Sequence, residues 1–482
     1  VVKFKIILNI LGKLLVGESF FLFLSLIVSL IYGESDSLAF LKAGLITLVV
    51  GSLSYLTSKG VKKDLGKREG YIIVSLVWVV FSIFGCLPYL FSGAIPNVTN
   101  AFFETMSGFT TTGSSILNNI EELPHGILFW RSLTQWMGGM GIIVMFLAIL
   151  PTLGIGGREL FVAEVPGPAP DKLTPRIKET ARNLWGLYML FTLIQTILLF
   201  AGGMTFFDAI NHSLTTMATG GYSTKQASVG FFTSPYLQYV IIFFMFVAGT
   251  NFTLSYAVIT GKATKIFKDE EFRFYTIVVL LFSLLIAVGL FAAGNISGEQ
   301  AFRDSLFTVV SIITTTGYAT ADYLLWTPFL GMLIFVLFFV GGSAGSTGGG
   351  VKVVRILLLF KNSFYELKRL VHPNAVIPIR YNKHVVDQKT VTNILAFFVF
   401  YVIIFMISSI LMSLWTPDIY SAFSAVATTL GNIGPGFGEV GPMENFYKLP
   451  DLAKWFLAFL MMLGRLELFT VLVLFSPSFW RH

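Results

Sequence analysis

The chain has a single cysteine, Cys86, set in an apolar run, which excludes a disulfide framework and a cysteine-built metal centre. Its five histidines (His125, His212, His372, His384, His482) show no metal-ligand spacing. Charge is scarce too: Asp, Glu, Lys and Arg are 12% of the 482 residues, against about 25% in a soluble domain. No HExxH, GxSxG or metal-spaced acidic pair occurs, which argues against an embedded enzyme. What is present is 55% hydrophobic residues, gathered in successive apolar runs. Runs of roughly 20 residues cross the ~30 Å hydrocarbon core of a bilayer as helices. The class that follows is an all-α polytopic membrane protein. The first run, from about Ile6, reads as a spanning helix rather than a removed signal.

Ten spans are expected, at about 6–32, 37–58, 70–92, 126–150, 183–203, 234–260, 273–293, 327–360, 391–415 and 451–476. The net charge of +7 is explained by topology rather than by nucleic acid. Basic residues gather at 59–68, 158–182, 262–273 and 352–389 and near both termini, whereas the intervening segments hold few of them and several acids. By the positive-inside rule both termini are cytoplasmic.

Between the spans one feature recurs four times. A short helix-forming stretch runs into a Thr-rich step that ends in glycine: AFFETMSGFTTTG (101–113), DAINHSLTTMATG (208–220), SLFTVVSIITTTG (305–317) and IYSAFSAVATTLG (419–431). The end glycines Gly113, Gly220, Gly317 and Gly431 are separated by 107, 97 and 114 positions, so the chain is an internal repeat. Each stretch is about three turns, too short to span, and irregular backbone survives at membrane depth only where it lines a cavity. The expected architecture is two leading helices plus four helix–pore-helix–helix repeats around a central pore. The units are 1–60, 70–150, 181–260, 270–360 and 390–478. A half-helix ending at the Thr-Gly step aims its negative end at the axis, which suits a cation. The candidate ion-binding filter is Thr111, Thr112, Gly113, Ala218, Thr219, Gly220, Thr315, Thr316, Gly317, Thr429, Leu430, Gly431 and Asn432. The bland reading is four re-entrant turns that seal a bundle, with glycine for close packing.

The eighth span holds Gly341, Gly342, Ser343, Ala344, Gly345, Ser346, Thr347, Gly348, Gly349 and Gly350. Six glycines in ten residues break a helix at about 1 kcal/mol each relative to alanine. The segment 341–350 is read as a gate loop below the filter, with a passive packing kink as the alternative. Arg465 lies mid-span, where charge is costly and faces the bundle interior. It either projects into the pore as a barrier to cations or is a structural arginine tied to carbonyls or to the loop. Glu467, two residues on, is off its face. Asn118, Asn119, Glu121 and Glu122 read as a solvated polar loop near the mouth, and the Pro-rich 158–182 as a connector. Glu104 and His212 are the titratable candidates for an ion-coupled symporter, the second functional class.

On these turns, and on GGRELFVAEVPGPAPDKLTPRIKETA (156–181), GGSAGSTGGGVKV (341–353), LGNIGPGFGEVGP (430–442) and MLGRLE (462–467), the chain resembles the Trk, Ktr and HKT superfamily of potassium transporters. The two leading helices point within it to the membrane subunit of bacterial Trk systems. The resemblance implies potassium uptake across the bacterial inner membrane, with potassium as the transported ion and no organic cofactor. It implies a homodimer with one pore per protomer, and a TrkA-like cytosolic ring of nucleotide-binding regulatory subunits. In that superfamily serine at the first pore glycine goes with sodium, so four glycines favour potassium. The ring is uneven, with Met217 and Ala218 in the second turn and Leu430 in the fourth.

Overall fold

The computed structural model describes residues 3–60, 66–140, 177–294, 296–375 and 377–481. The chain opens with a helical hairpin, α1 (Phe4–Tyr32) and α2 (Ser37–Thr57). Twenty-nine residues of helix are about 43 Å long, more than the bilayer core needs. Gly33 ends α1 in the left-handed conformation, φ 67°, a common stop. The hairpin closes without side chains at its tightest point. A Cβ on Gly12 would lie 2.7 Å from Gly51 O, and one on Gly51 2.9 Å from Gly12 O. Small residues that let backbones approach are the usual adhesive between helices in lipid.

Four units follow. The first holds α3 (Lys67–Gly85), α4 (Leu87–Ser92), α5 (Val98–Phe109) and α6 (His125–Gly139). The second holds α7 (Ile177–Ala201), α8 (Phe206–Met217), α9 (Pro235–Ala248) and α10 (Phe252–Ile259), followed by the short α11 (Thr264–Lys268). The third holds α12 (Glu270–Ala292), α13 (Gly298–Ile313), α14 (Pro328–Leu337) and α15 (Val353–Val371). A two-stranded hairpin, Arg380–Tyr381 with His384–Val385, comes next. Its turn residues Asn382 and Lys383 both have positive φ, as a two-residue type I′ turn requires. The fourth unit is α16 (Gln388–Met412), α17 (Ile419–Gly431), α18 (Asp451–Arg465) and α19 (Phe469–Leu472), before α20 (Pro477–Trp480).

The short helices α5, α8, α13 and α17 start alike. Asn97 Oδ1, Thr205 Oγ1, Ser297 Oγ and Asp418 Oδ1 each accept from the backbone N–H three residues on. Such a cap contributes about 1 kcal/mol and fixes where the helix begins.

Among the described residues six helices are long and apolar enough to cross a membrane. The sequence reading of ten full spans is corrected for the last helix of the units. α9 and α10 meet at 108°, and α18 and the helical segment from Phe469 meet at 110°, so up to eight spans are counted among the described residues if each bent pair is one. The first bend follows from Gly249 ending α9 and Asn251 capping α10 through Thr253 N–H at 2.8 Å. The second is made by Glu467 and Leu468, both at positive φ, 55° and 54°. α6 ends at Gly139, and 141–150 of the fourth expected span lie outside the described residues, as does most of 158–182. Large apolar side chains such as Ile31, Leu284 and Ile410 stay exposed on the helix surfaces, as a lipid-facing belt requires.

Candidate functional site

The four short helices end in one motif. Thr111, Thr219, Thr315 and Asn432 are left-handed, with φ of 54°, 53°, 57° and 53°. Each donates its N–H to the carbonyl three residues back (Gly108, Thr216, Ile312, Thr429), and the next N–H reaches five residues back, to Ser107, Thr215, Ser311 and Thr428. That pair of bonds is the Schellman cap. It is normally built on glycine, because a side chain in this conformation costs about 1–2 kcal/mol. Three of these four are threonine, whose branched Cβ makes positive φ rarer still.

Two residues past each left-handed residue stands a glycine, also at positive φ: Gly113 (82°), Gly221 (77°), Gly317 (80°) and Gly434 (101°). A Cβ on Gly113 would lie 2.3 Å from Gly220 O, on Gly221 1.9 Å from Thr316 O, on Gly317 1.9 Å from Ile433 O, and on Gly434 2.8 Å from Thr112 O. Each glycine therefore faces the carbonyl of the next turn, and the fourth faces the first. The ring closes. These four glycines lie in the floor of one pocket, whose wall includes Ser114, Arg131, Tyr222, Lys225 and Phe446.

This geometry corrects the alignment of the repeats. Gly113 and Gly317 are matched by Gly221 and Gly434, not by Gly220 and Gly431. Gly220 stands where the others have Thr112, Thr316 and Ile433. Thr429, Leu430 and Gly431 lie in the last turn of α17, and Gly431 corresponds to Thr110, Ala218 and Thr314. The reason is physical: the turn is set by the left-handed residue, and that residue is not glycine. Gly221, Ile433 and Gly434 lie outside the expected set; their traces in the sequence are the second glycine of ATGGY, which precedes a tyrosine as Gly317 does, and the second glycine of GNIGPG.

The backbone beyond each turn is strapped to its own short helix. Glu104 accepts from Ser115 Oγ (3.0 Å) and Ile116 N–H (2.9 Å), and pairs with Arg131 Nε at 2.7 Å with both side chains buried. Arg131 also donates to Ser223 O and stacks 3.6 Å from the Tyr222 ring centroid. His212 is held between Asp208 O and Ser223 Oγ. Ser311 Oγ donates to Tyr318 O at 2.7 Å, and Ser421 Oγ accepts from Glu439 N–H at 3.0 Å. The two titratable candidates, Glu104 and His212, thus spend their polar atoms on the scaffold behind the ring. Across the ring, Gln135 Nε2 donates to Gly220 O at 2.6 Å.

On the side away from the pocket lies the segment 338–352, between α14 and α15. It is closed on itself by Gly341 N–H to Val351 O (2.8 Å) and Val353 N–H to Gly342 O (3.1 Å). Its far end presses on the ring. Gly349 N–H donates to Thr315 Oγ1 at 2.7 Å, and Thr347 Oγ1 donates to Met217 O at 3.0 Å. A Cβ on Gly349 would meet Asn432 Cβ at 2.7 Å and Gly431 O at 2.9 Å, so only glycine lets the loop come this close. Arg465 donates to Thr347 O (2.7 Å), Gly138 O (2.6 Å) and Gly139 O (2.8 Å). Its guanidinium therefore ties the loop to the end of α6. Glu467 pairs with Arg355 at the start of α15.

Among oxygens near this junction, Thr111 Oγ1 and Asn432 Oδ1 are buried and accept no hydrogen bond. With the carbonyls of Thr112, Gly220, Thr316 and Ile433 they are the oxygens suited to a hard cation. Among the described residues no group of three or more His, Cys, Asp or Glu side chains is arranged to hold a metal.

Comparison with known proteins agrees along the whole chain. The family described as TrkH, cation transport protein, matches residues 36–482. The Trk system potassium uptake protein TrkH of Escherichia coli K12 is 43% identical over 488 residues, covering 99% of this chain and 100% of that protein. TrkI of Halomonas elongata is 36% identical over 481 residues, covering 99% and 97%. The crystal structure of the potassium transporter TrkH from Vibrio parahaemolyticus superposes with a TM-score of 0.90, at 40% identity and 100% coverage of both chains. On this evidence, and with a ring of four turns at its centre, the chain belongs to the TrkH family of cation transport proteins.

Proposed function

We propose that this chain is a gated, channel-like pathway for potassium uptake across a bacterial inner membrane. The observation that carries the reading is the closed ring, in which Thr112, Gly220, Thr316 and Ile433 carbonyls alternate with glycines bare enough to admit them. Carbonyl dipoles replace the water shell of potassium, and four helix C-termini, each equivalent to about half a negative charge, add to the field. No titratable side chain sits in the ring itself, so the ion passes without an obligatory proton. The pocket above the ring is the outer mouth, and both chain termini lie in the cytoplasm.

The segment 341–350 is the gate. Gly341, Gly342, Ser343, Gly345, Ser346, Gly348, Gly349 and Gly350 form a loop under the ring, and Arg465 holds it there. A TrkA-like cytosolic ring of nucleotide-binding subunits moves the loop aside, and the working form is a homodimer with one pathway per protomer. The names carried by the relatives, potassium uptake proteins, support the choice of ion. Reconstitution in liposomes with potassium, rubidium or sodium, at set voltage and pH gradient, tests this. Potassium and rubidium flux that follows the electrochemical gradient without proton movement is expected. Flux that tracks the pH gradient would replace the channel with a symporter.

A further inference from the structure

We propose that Glu271 is the residue that positions the 341–352 loop, and that the hairpin at 380–385 sets the place of Glu271. The proposal rests on the gate reading above. Glu271 is the second residue of α12 and is 3% exposed. One carboxylate oxygen, Oε1, accepts from Ala344 N–H at 2.7 Å and from Val354 N–H at 3.2 Å. Those donors flank the part of the loop that meets the ring. A single buried oxygen thus pins both limbs of the loop to a helix outside it. Lys352 Nζ, also buried, donates to Gly348 O and closes the loop from within.

The start of α12 is in turn fixed by the hairpin turn. Asn382 Nδ2 donates to Asp269 Oδ2 at 2.7 Å, and Asn382 Oδ1 accepts from Glu270 N–H at 2.9 Å. Asp269 caps α12 through Phe272 N–H at 2.8 Å. Lys361 of α15 pairs with Glu270 and donates to Arg380 O. The hairpin, the cap of α12 and α15 therefore form one braced unit, and Glu271 bonds both limbs of the loop to it. His384 and Val385 on the hairpin are exposed, so a push there reaches the loop through two hydrogen-bonded steps.

A single-cysteine reporter tests this. Ser346→Cys in a Cys86→Ser background places one thiol on the part-exposed loop tip of this chain, whose 482 residues hold no other cysteine. The rate of its modification by a small thiol reagent is measured in liposomes beside rubidium flux. Loss of a hydrogen bond to a charged group shifts an equilibrium by about tenfold or more, so Glu271→Ala should speed modification at least ~tenfold. Glu271→Gln, which keeps the shape and an acceptor oxygen, should give a smaller rise and guards against simple misfolding. Asn382→Ala, on the hairpin, should also speed modification, and combining it with Glu271→Ala should add little. An unchanged rate in Glu271→Ala and Glu271→Gln overturns the positioning role. An unchanged rate in Asn382→Ala, or full additivity, overturns the hairpin's part. Faster modification with unaltered flux would uphold the positioning of the loop and sink the gate reading instead.

Discussion

Exchanging single glycines in the fourth turn separates two accounts of the ring. Gly434 has φ of 101°, and an added Cβ would lie 2.8 Å from Thr112 O and 3.2 Å from Gly113 C. Carbon contacts are comfortable at roughly 3.5–4.0 Å, so the neighbouring backbone must move. The backbone conformation alone costs a side chain about 1–2 kcal/mol. At 1.4 kcal/mol per tenfold, the displaced carbonyl should weaken ion passage at least about tenfold. Gly431 is different. It is the last helical residue of α17, and its added Cβ would first meet the tip of Ile433 at 3.0 Å, a side chain able to turn away. Alanine there gains up to ~1 kcal/mol of helix propensity. Rubidium uptake into liposomes, normalised to folded protein, is the assay. Gly434→Ala should be nearly inactive or lose its preference over sodium, and Gly431→Ala should stay near the parent. The reverse pattern would refute the register derived from the left-handed residues.

Arg465→Ala removes three carbonyl contacts from the loop and α6, and rubidium flux should rise several-fold; unchanged flux would leave Arg465 without a part in gating. Glu104→Gln breaks a buried ion pair and strands Arg131, which typically costs about 3–5 kcal/mol, so the melting temperature in detergent should fall; no change would mean that the pair is dispensable. Gly12→Val drives a branched side chain into the Gly51 backbone, so the α1–α2 hairpin should splay and thermal stability should drop, whereas Gly33→Ala, with open space around its Cβ, should change stability by only about 1–2 kcal/mol.

The four short helices were legible because amphipathic stretches too short to span recur at near-constant spacing. The loop at 341–350 was legible because glycine clusters have one backbone consequence. The register of the ring was not, because the eye aligns glycines while the chain aligns left-handed residues. Asn432 and Thr219 carry that conformation without advertising it. The bends in α9–α10 and α18–α19 were hidden for a related reason. Each break is only a few residues, Gly249–Thr250–Asn251 in one and Arg465 to Leu468 in the other, set between apolar runs long enough together to read as one span. Glu271 lies among the basic residues at 262–273, and nothing in that stretch of sequence marks it as inward-facing. Only the fold shows that it faces inward. Glu467 pairs with Arg355, 112 residues away, and no local pattern could name that partner.

Four identical chains around an axis would supply four copies of every loop, and four loops of this size would collide beneath one ring. Fusing the quadrants into one chain removes that constraint. Among the described residues the third quadrant alone sends a loop under the ring, where it touches the second at Met217 and the fourth at Gly431 and Asn432. The first is reached through Arg465 and Gly138. On the proposed reading one quadrant serves as a stopper while the others remain conduit. Under the proposed gating, a single displacement then unblocks the axis, without a concerted rearrangement of four equivalent parts. The steepness of the response to a regulator would have to come from the partner, since this chain contributes one stopper per pathway.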